Sequence, residues 1–303
     1  MPAAIIIMEL NFDTMRKIVF SLLLALCSLS ALYGQGARRS VYFDSNGYIQ
    51  VADVSQLDLA TRFTVESWTK IEADGILLMK GGWCPNVVGG SGGEGAQSYF
   101  FAYSNNTLGF FINTGGDFFH LIGSVSAPVQ LENGAWHHIA ASFDSGFLSL
   151  YHNGILLASG RLRLDSSDPA VAFTTQPDGF AYYQSGSVRL QWNGFPSVNY
   201  TGLMSIDQPY PGASALRIGS AVHYCSGSTP VISNAMTGQM DEIRVWNRAL
   251  TAAEIRHKMT ERLTGTEPGL VAYYRMDEGA DNTCPGGQDV CDASGNGNHG
   301  VKF

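Results

Sequence analysis

The chain has 303 residues, a formal net charge of −8, 15% charged residues, 45% hydrophobic residues and 11% aromatic residues. That apolar, aromatic-rich composition excludes intrinsic disorder, and the low charge content excludes a coiled coil. The net negative charge excludes a nucleic-acid partner, which would need a basic field.

Residues 18–33 read IVFSLLLALCSLSALY and follow Arg16 and Lys17. A positive start, a short apolar run and then small and polar residues form the pattern of a secretory signal peptide. The alternative is a membrane anchor, but the run falls short of the ~20 apolar residues a span needs. Residues 1–34 are therefore expected to be a signal peptide, with the true start at Met15. The mature chain would be secreted or held at the cell surface, with no membrane span. Leu26 before Cys27 is a poor lipidation signal.

Export removes Cys27 and leaves Cys84, Cys225, Cys284 and Cys291. An even count in an exported chain points to disulfides, and four cysteines allow three pairings. Cys284 and Cys291 flank Pro-Gly-Gly and could close a short loop, which would leave Cys84 with Cys225 between two Gly-rich loops. The rival is a zinc site, but no CxxC pair and no suitably spaced His supports it.

In chain order, residues 41–43 and 48–51 read as short strands around Ser45-Asn46-Gly47. Residues 63–71 alternate and are rich in β-formers. Residues 76–79, 99–103 and 108–113 follow, the last two separated by the turn Ser104-Asn105-Asn106-Thr107. The stretch 136–159 holds three apolar runs punctuated by Asp144-Ser145-Gly146 and Asn153-Gly154. Asn-Gly between strands favours a type I′ turn, so an antiparallel meander is expected. Later strands are expected at 215–219, 238–246 and 270–276. One helix is expected at 252–262, opened by the capping box Thr251-Ala-Ala-Glu254. Residues 81–97 form a Gly-rich loop. Residues 163–213 are too long for a structureless connection and should contain a hairpin with residues 187–192 as one strand. Many short strands with one helix define an all-β, two-sheet antiparallel jelly-roll sandwich.

Enzyme signals are weak. Gly89-Gly90-Ser91-Gly92-Gly93 fits G-x-S-x-G, but it lies in a glycine run with no helix after it. The same loop lacks the Gly-Lys-Ser/Thr ending of a phosphate loop. His137 and His138 are adjacent on a strand, so their side chains diverge and a metal site is not favoured. The run DASGNGN at 292–298 has the start of a calcium loop, but Phe303 stands where the twelfth-position Glu belongs, so a turn is expected.

The ordered set SVYFDSNGYIQV, FTVESWTKI, WHHIAASFDSGFLSLYHNGILLASG, LRIG and GQMDEIRVWNRALTAAEI resembles the laminin-G-like jelly-roll family of the concanavalin A-like lectin and glucanase superfamily. The resemblance covers residues 38–260. Residues 261–303 read as a C-terminal strand-and-loop appendage whose text, GLVAYYRMDEG and DASGNGNHG, resembles the border between such modules. The resemblance implies a non-catalytic module that binds an extracellular glycan or a partner protein. An alternative is a structural or adhesion module of a larger cell-surface protein, without a small ligand.

Glucanases of this fold carry carboxylates at alternating strand positions, where both reach one sugar bond. Asp241-Glu242 are adjacent, and strict alternation would send them to opposite faces. The family also implies a structural calcium ion. The matching positions are Asp44, with Asn46 beside it, and Asp241, although Ser45 stands where the family has Gly. Trp68, Trp136 and Trp246 lie in the family motifs and read as packing. Trp83, Trp192, Tyr210 and Tyr224 lie outside them and are the ligand-binding candidates, because sugar faces stack on aromatic rings. A Cys84–Cys225 bridge would bring Trp83 and Tyr224 together.

Overall fold

The computed structural model describes residues 39–59, 62–81, 97–116, 119–144, 147–161, 163–164, 174–175, 181–185, 188–192, 215–223, 231–277, 284 and 286–303. The signal-peptide segment and the pair Cys84 and Cys225 lie outside them. The strands are β1 (Val41–Asp44), β2 (Ile49–Val51), β3 (Arg62–Ala73), β4 (Gly75–Gly81), β5 (Gln97–Ser104), β6 (Thr107–Gly116) and β7 (Phe119–Pro128). The meander follows as β8 (His137–Asp144), β9 (Phe147–His152) and β10 (Ile155–Arg161). Then come β11 (Arg163–Leu164), β12 (Thr174–Thr175), β13 (Ala181–Ser185), β14 (Val188–Trp192), β15 (Leu216–Ile218), β16 (Ala221–His223) and β17 (Val231–Ser233). The last elements are β18 (Thr237–Trp246), helix α1 (Ala252–Lys258), β19 (Leu270–Tyr274) and β20 (Gly300–Lys302).

Two antiparallel sheets make the sandwich. The first has the order β1-β18-β3-β8-β9-β10, with β19 also against β18. The second has the order β11-β7-β6-β5-β4-β15-β2-β20. Small sheets join β12-β13-β14 and β16-β17, so the 163–213 segment does contain a hairpin. Phe63 of the first sheet packs against Tyr99 and Phe110 of the second, with ring centroids 4.9 and 6.0 Å apart. Phe63 is fully buried, and burying such a side chain contributes about 1.5–3 kcal/mol. Inward positions of both sheets, such as Val65, Phe101, Phe143, Ile218, Met240 and Val245, form one core.

The meander forms as its turn chemistry dictates. Asn153 and Gly154 both have positive φ, 49° and 72°, as a type I′ turn requires. Gly154 is also needed for contact, since a Cβ there would lie 2.3 Å from Arg256 Cγ. Helix α1 begins as expected: the Thr251 hydroxyl accepts from Glu254 N–H, and the Glu254 carboxylate accepts from Thr251 N–H. It ends at Lys258 rather than 262. Arg244 donates to the Lys258 and Glu261 carbonyls, and Trp68 Nε1 donates to the Met259 carbonyl. These side chains take the acceptors that a longer helix would use.

The C-terminal segment supplies one strand to each sheet. β19 pairs with β18, and β20 pairs with β2. Cys284 and Cys291 are joined as the local disulfide. The 292–298 run is a turn: the Asp292 carboxylate accepts from Tyr273 N–H, Ser294 N–H and Asn298 N–H. Asn298 Nδ2 in turn donates to the Val271 carbonyl, so the turn is fastened to β19.

Candidate functional site

The two outer faces of the sandwich differ. The outer face of the first sheet is covered by α1 and the residues after it, which bury Trp246, Ile255, Leu263 and Tyr273 in a second apolar cluster. Beneath them lies a charged network. Glu66 is fully buried and accepts from Trp246 Nε1 at 3.0 Å, with Arg244 Nη1 3.5 Å away. Burial pushes the Glu66 carboxyl up, and the Arg244 charge opposes it. Arg244 Nη2 donates to Glu242 Oε2 at 2.6 Å, and the Tyr273 hydroxyl donates to the same oxygen. Burial and that bond push the Tyr273 phenol up to about 12.

Strict alternation fails at Asp241-Glu242. The β18–β3 register shifts between Asp241 and Arg244, and Glu242 has φ of 50°. This bulge places two residues of β18 opposite Ser67 alone. Met240, Ile243 and Val245 consequently all reach the core, while Glu242 joins Arg244 on the helix-covered face. Asp241 lies opposite Trp68 on that same face. Its carboxyl is pushed up to about 8, by burial first, then by Glu242 and Asp277. Asp241 is 2% exposed, and its Oδ1 has no hydrogen-bond partner.

The expected calcium positions do not converge. Asp44 pairs with Thr237, four residues along β18 from Asp241, a separation of about 13 Å at strand rise. Asp44 Oδ1 accepts from Asn46 N–H and Gly47 N–H, at 3.1 and 3.2 Å, and closes the β1–β2 turn. Among the described residues no three His, Cys, Asp or Glu side chains gather as a metal site. The orphaned Asp241 oxygen is a carboxylate oxygen of this face that lacks a hydrogen-bond partner among the described residues.

The outer face of the second sheet carries no helix among the described residues and is apolar. On β5, Tyr99, Phe101 and Tyr103 face the core, so Phe100 and Ala102 face out. On β6, Phe110 and Ile112 face in and Phe111 faces out. Register sets the outward row Gln50–Arg217–Met79–Phe100–Phe111 across five strands. The Phe100 and Phe111 rings stack in parallel, 4.4 Å apart with a 6° interplanar angle. Both are partly exposed. Gly109 makes this possible: a Cβ there would lie 2.7 Å from Phe111 Cε2, where the ring leans. Arg217 and Met79, next in the row, are buried, and Arg217 Nη1 donates to the Gly81 carbonyl at 3.1 Å.

Of the aromatic candidates, Trp192 ends β14, opposite Ala181. Trp83, Tyr210 and Tyr224 lie outside the described residues. Trp68 and Trp246 are buried. Phe100 and Phe111 were not among the candidates read from sequence. Their signal was the alternation in SYFFAYS against TLGFFIN, hidden because both faces of these strands are apolar.

Residues 43–184 match the family model described as the concanavalin A-like lectin/glucanases superfamily, of the laminin-G type. Among solved structures, the chain resembles a Bacteroides ovatus protein described as a "putative carbohydrate binding protein", with 17% identity and a TM-score of 0.52. The match covers 87% of this chain and 57% of that one, so the chain spans little more than half of that protein's length. The CBM40 of the Ruminococcus gnavus IT-sialidase matches at 12% identity and a TM-score of 0.44, over 74% of this chain and 98% of that one. Domains LG4-5 of the mouse laminin alpha1 chain match at 12% identity and 0.38, over 71% of this chain and 44% of that one. The curated proteins give no match. No helix among the described residues is long and apolar enough to cross a membrane. Over residues 43–184 the chain is similar to the laminin-G-like family of the concanavalin A-like lectin/glucanase superfamily, and its described residues form the two-sheet antiparallel sandwich of a jelly roll.

Proposed function

We propose that the chain is a secreted, non-catalytic recognition module for an extracellular glycan or a partner protein, with a glycan as the first reading. The observation that carries this is the outward Phe100–Phe111 stack, on the sheet face that carries no helix among the described residues. Sugar rings bind through CH groups laid against aromatic surface, with polar neighbours fixing orientation. Gln50 stands in the same row. Trp83, Trp192, Tyr210 and Tyr224 are proposed as further stacking contacts. The non-catalytic reading is supported by Asp241 and Glu242. They lie on the covered face of the other sheet, and Glu242 is engaged by Arg244 and Tyr273.

Calcium is proposed as a stabilising ion near Asp241, away from the ligand face. Its role would be to compensate the buried carboxylate oxygen that has no partner.

A glycan array and a partner pull-down on the full chain, in calcium-containing buffer, test the function. The expected result is a hit weakened by Phe111→Ala, and further by Trp83→Ala or Trp192→Ala. No hit on either would favour a purely structural module. Release of reducing ends from a β-glucan by the wild-type chain would overturn the non-catalytic reading.

A further inference from the structure

The first histidine of the WHHI motif meets a histidine from the next strand. His137 opens β8, and His152 closes β9. His137 Nδ1 lies 2.9 Å from His152 Nε2, with ring centroids 5.0 Å apart. His138, the sequence neighbour, points the other way, beside Trp68 and Glu66.

Asn133 sets the protonation of this pair. Its Oδ1 can only accept, and it lies 2.9 Å from His137 Nε2. His137 therefore carries its proton on Nε2 and aims the Nδ1 lone pair at His152. The same Oδ1 accepts from Ala135 N–H at 2.9 Å, which pins the Asn133 side chain in the β7–β8 loop. Metal-binding histidines are oriented in this way, with the non-ligating N–H given to a fixed acceptor. His137 is 7% exposed and His152 is partly exposed, so one side of the pair is open to solvent.

We propose that His137 Nδ1 and His152 Nε2 bind one borderline divalent transition cation of the zinc type. Imidazole nitrogens suit such ions. Two nitrogens on a tetrahedral zinc stand about 3.3 Å apart, so the 2.9 Å pair needs only a small opening. His152 moves its proton from Nε2 to Nδ1, and no net proton is lost. Among the described residues no third His, Cys, Asp or Glu side chain joins them, so water completes the coordination and leaves the site open to exchange. This site is independent of the glycan-binding reading and of calcium.

Calorimetric titration of the full chain with zinc chloride at pH 7.5 tests it. One saturable equivalent is expected. It should be lost in His152→Asn, with an unchanged circular dichroism spectrum. It should persist in His257→Ala, which removes the exposed His257–Glu261 pair. Asn133→Ala keeps both ligands but frees the tautomer, and should weaken binding by ~10–100-fold. Three results would overturn the proposal: no saturable binding in the wild type, unchanged binding in His152→Asn, or unchanged binding in Asn133→Ala.

Discussion

Arg244 is the residue on which the covered face depends. Its guanidinium meets Glu66, Glu242 and two carbonyls of the segment after α1. Removing one partner of a buried ion pair leaves a desolvated charge behind, which costs more than the pair contributes. Arg244→Met should lower stability by about 3–5 kcal/mol in urea unfolding. Adding Glu66→Gln should recover part of the loss. A loss below about 1 kcal/mol, the size of an ordinary substitution, would mean the network is slack. Asp241 behaves in the opposite sense. Its folded pKa, about 8, lies above the ordinary 3.8, so the folded state favours the protonated acid. That contribution is fully present below about pH 4 and is lost as pH rises towards 8. In EDTA, Asp241→Asn should therefore melt above wild type at pH 8, with the difference shrinking towards pH 4. Calcium at pH 8 should raise the wild-type melting temperature and leave the variant unmoved. An equal response in both would remove calcium from Asp241.

At the scale of elements, what was legible depended on how local the cause was. The Asn153-Gly154 turn and the Thr251–Glu254 cap are decided within four residues, and both formed as their sequences imply. Thr251→Ala should cost about 1 kcal/mol, since one backbone donor loses its acceptor. Thermal melts of this variant and of exposed Ser55→Ala as a control measure it. An equal, negligible change in both would show that packing alone holds α1. The end of α1 and the β18 bulge were not legible. The helix stops because Arg244 and Trp68, more than ten residues upstream, take its last carbonyls. The bulge requires Glu242 in a left-handed conformation, which nothing in MDEIRVW announces. It also undoes the alternation argument: Asp241 and Glu242 share a face, and the Arg244 and Tyr273 bonds to Glu242, rather than divergence, support the proposed non-catalytic reading.

At the scale of the molecule, the sandwich was legible because ordered motifs and turns specify strands, and strands with one helix admit few architectures. The proposed ligand face was not, because it depends on strand register. Phe100 and Phe111 become neighbours only when β5 and β6 pair as they do. Residues 99–103 and 108–113 are apolar on both sides, so their outward members read as core. The Asp44–Asp241 pairing failed for the same reason. β1 does lie beside β18, but register leaves the two carboxylates four residues apart.

The account's central claim is that the Phe100–Phe111 face of the second sheet recognises a glycan. A glycan array comparing the wild type with Phe100→Ala/Phe111→Ala, both matched in melting temperature, tests it most directly. The account predicts wild-type hits that fall by at least ~10-fold in the double variant, as loss of two stacking contacts implies. Hits of equal strength in both proteins would contradict it.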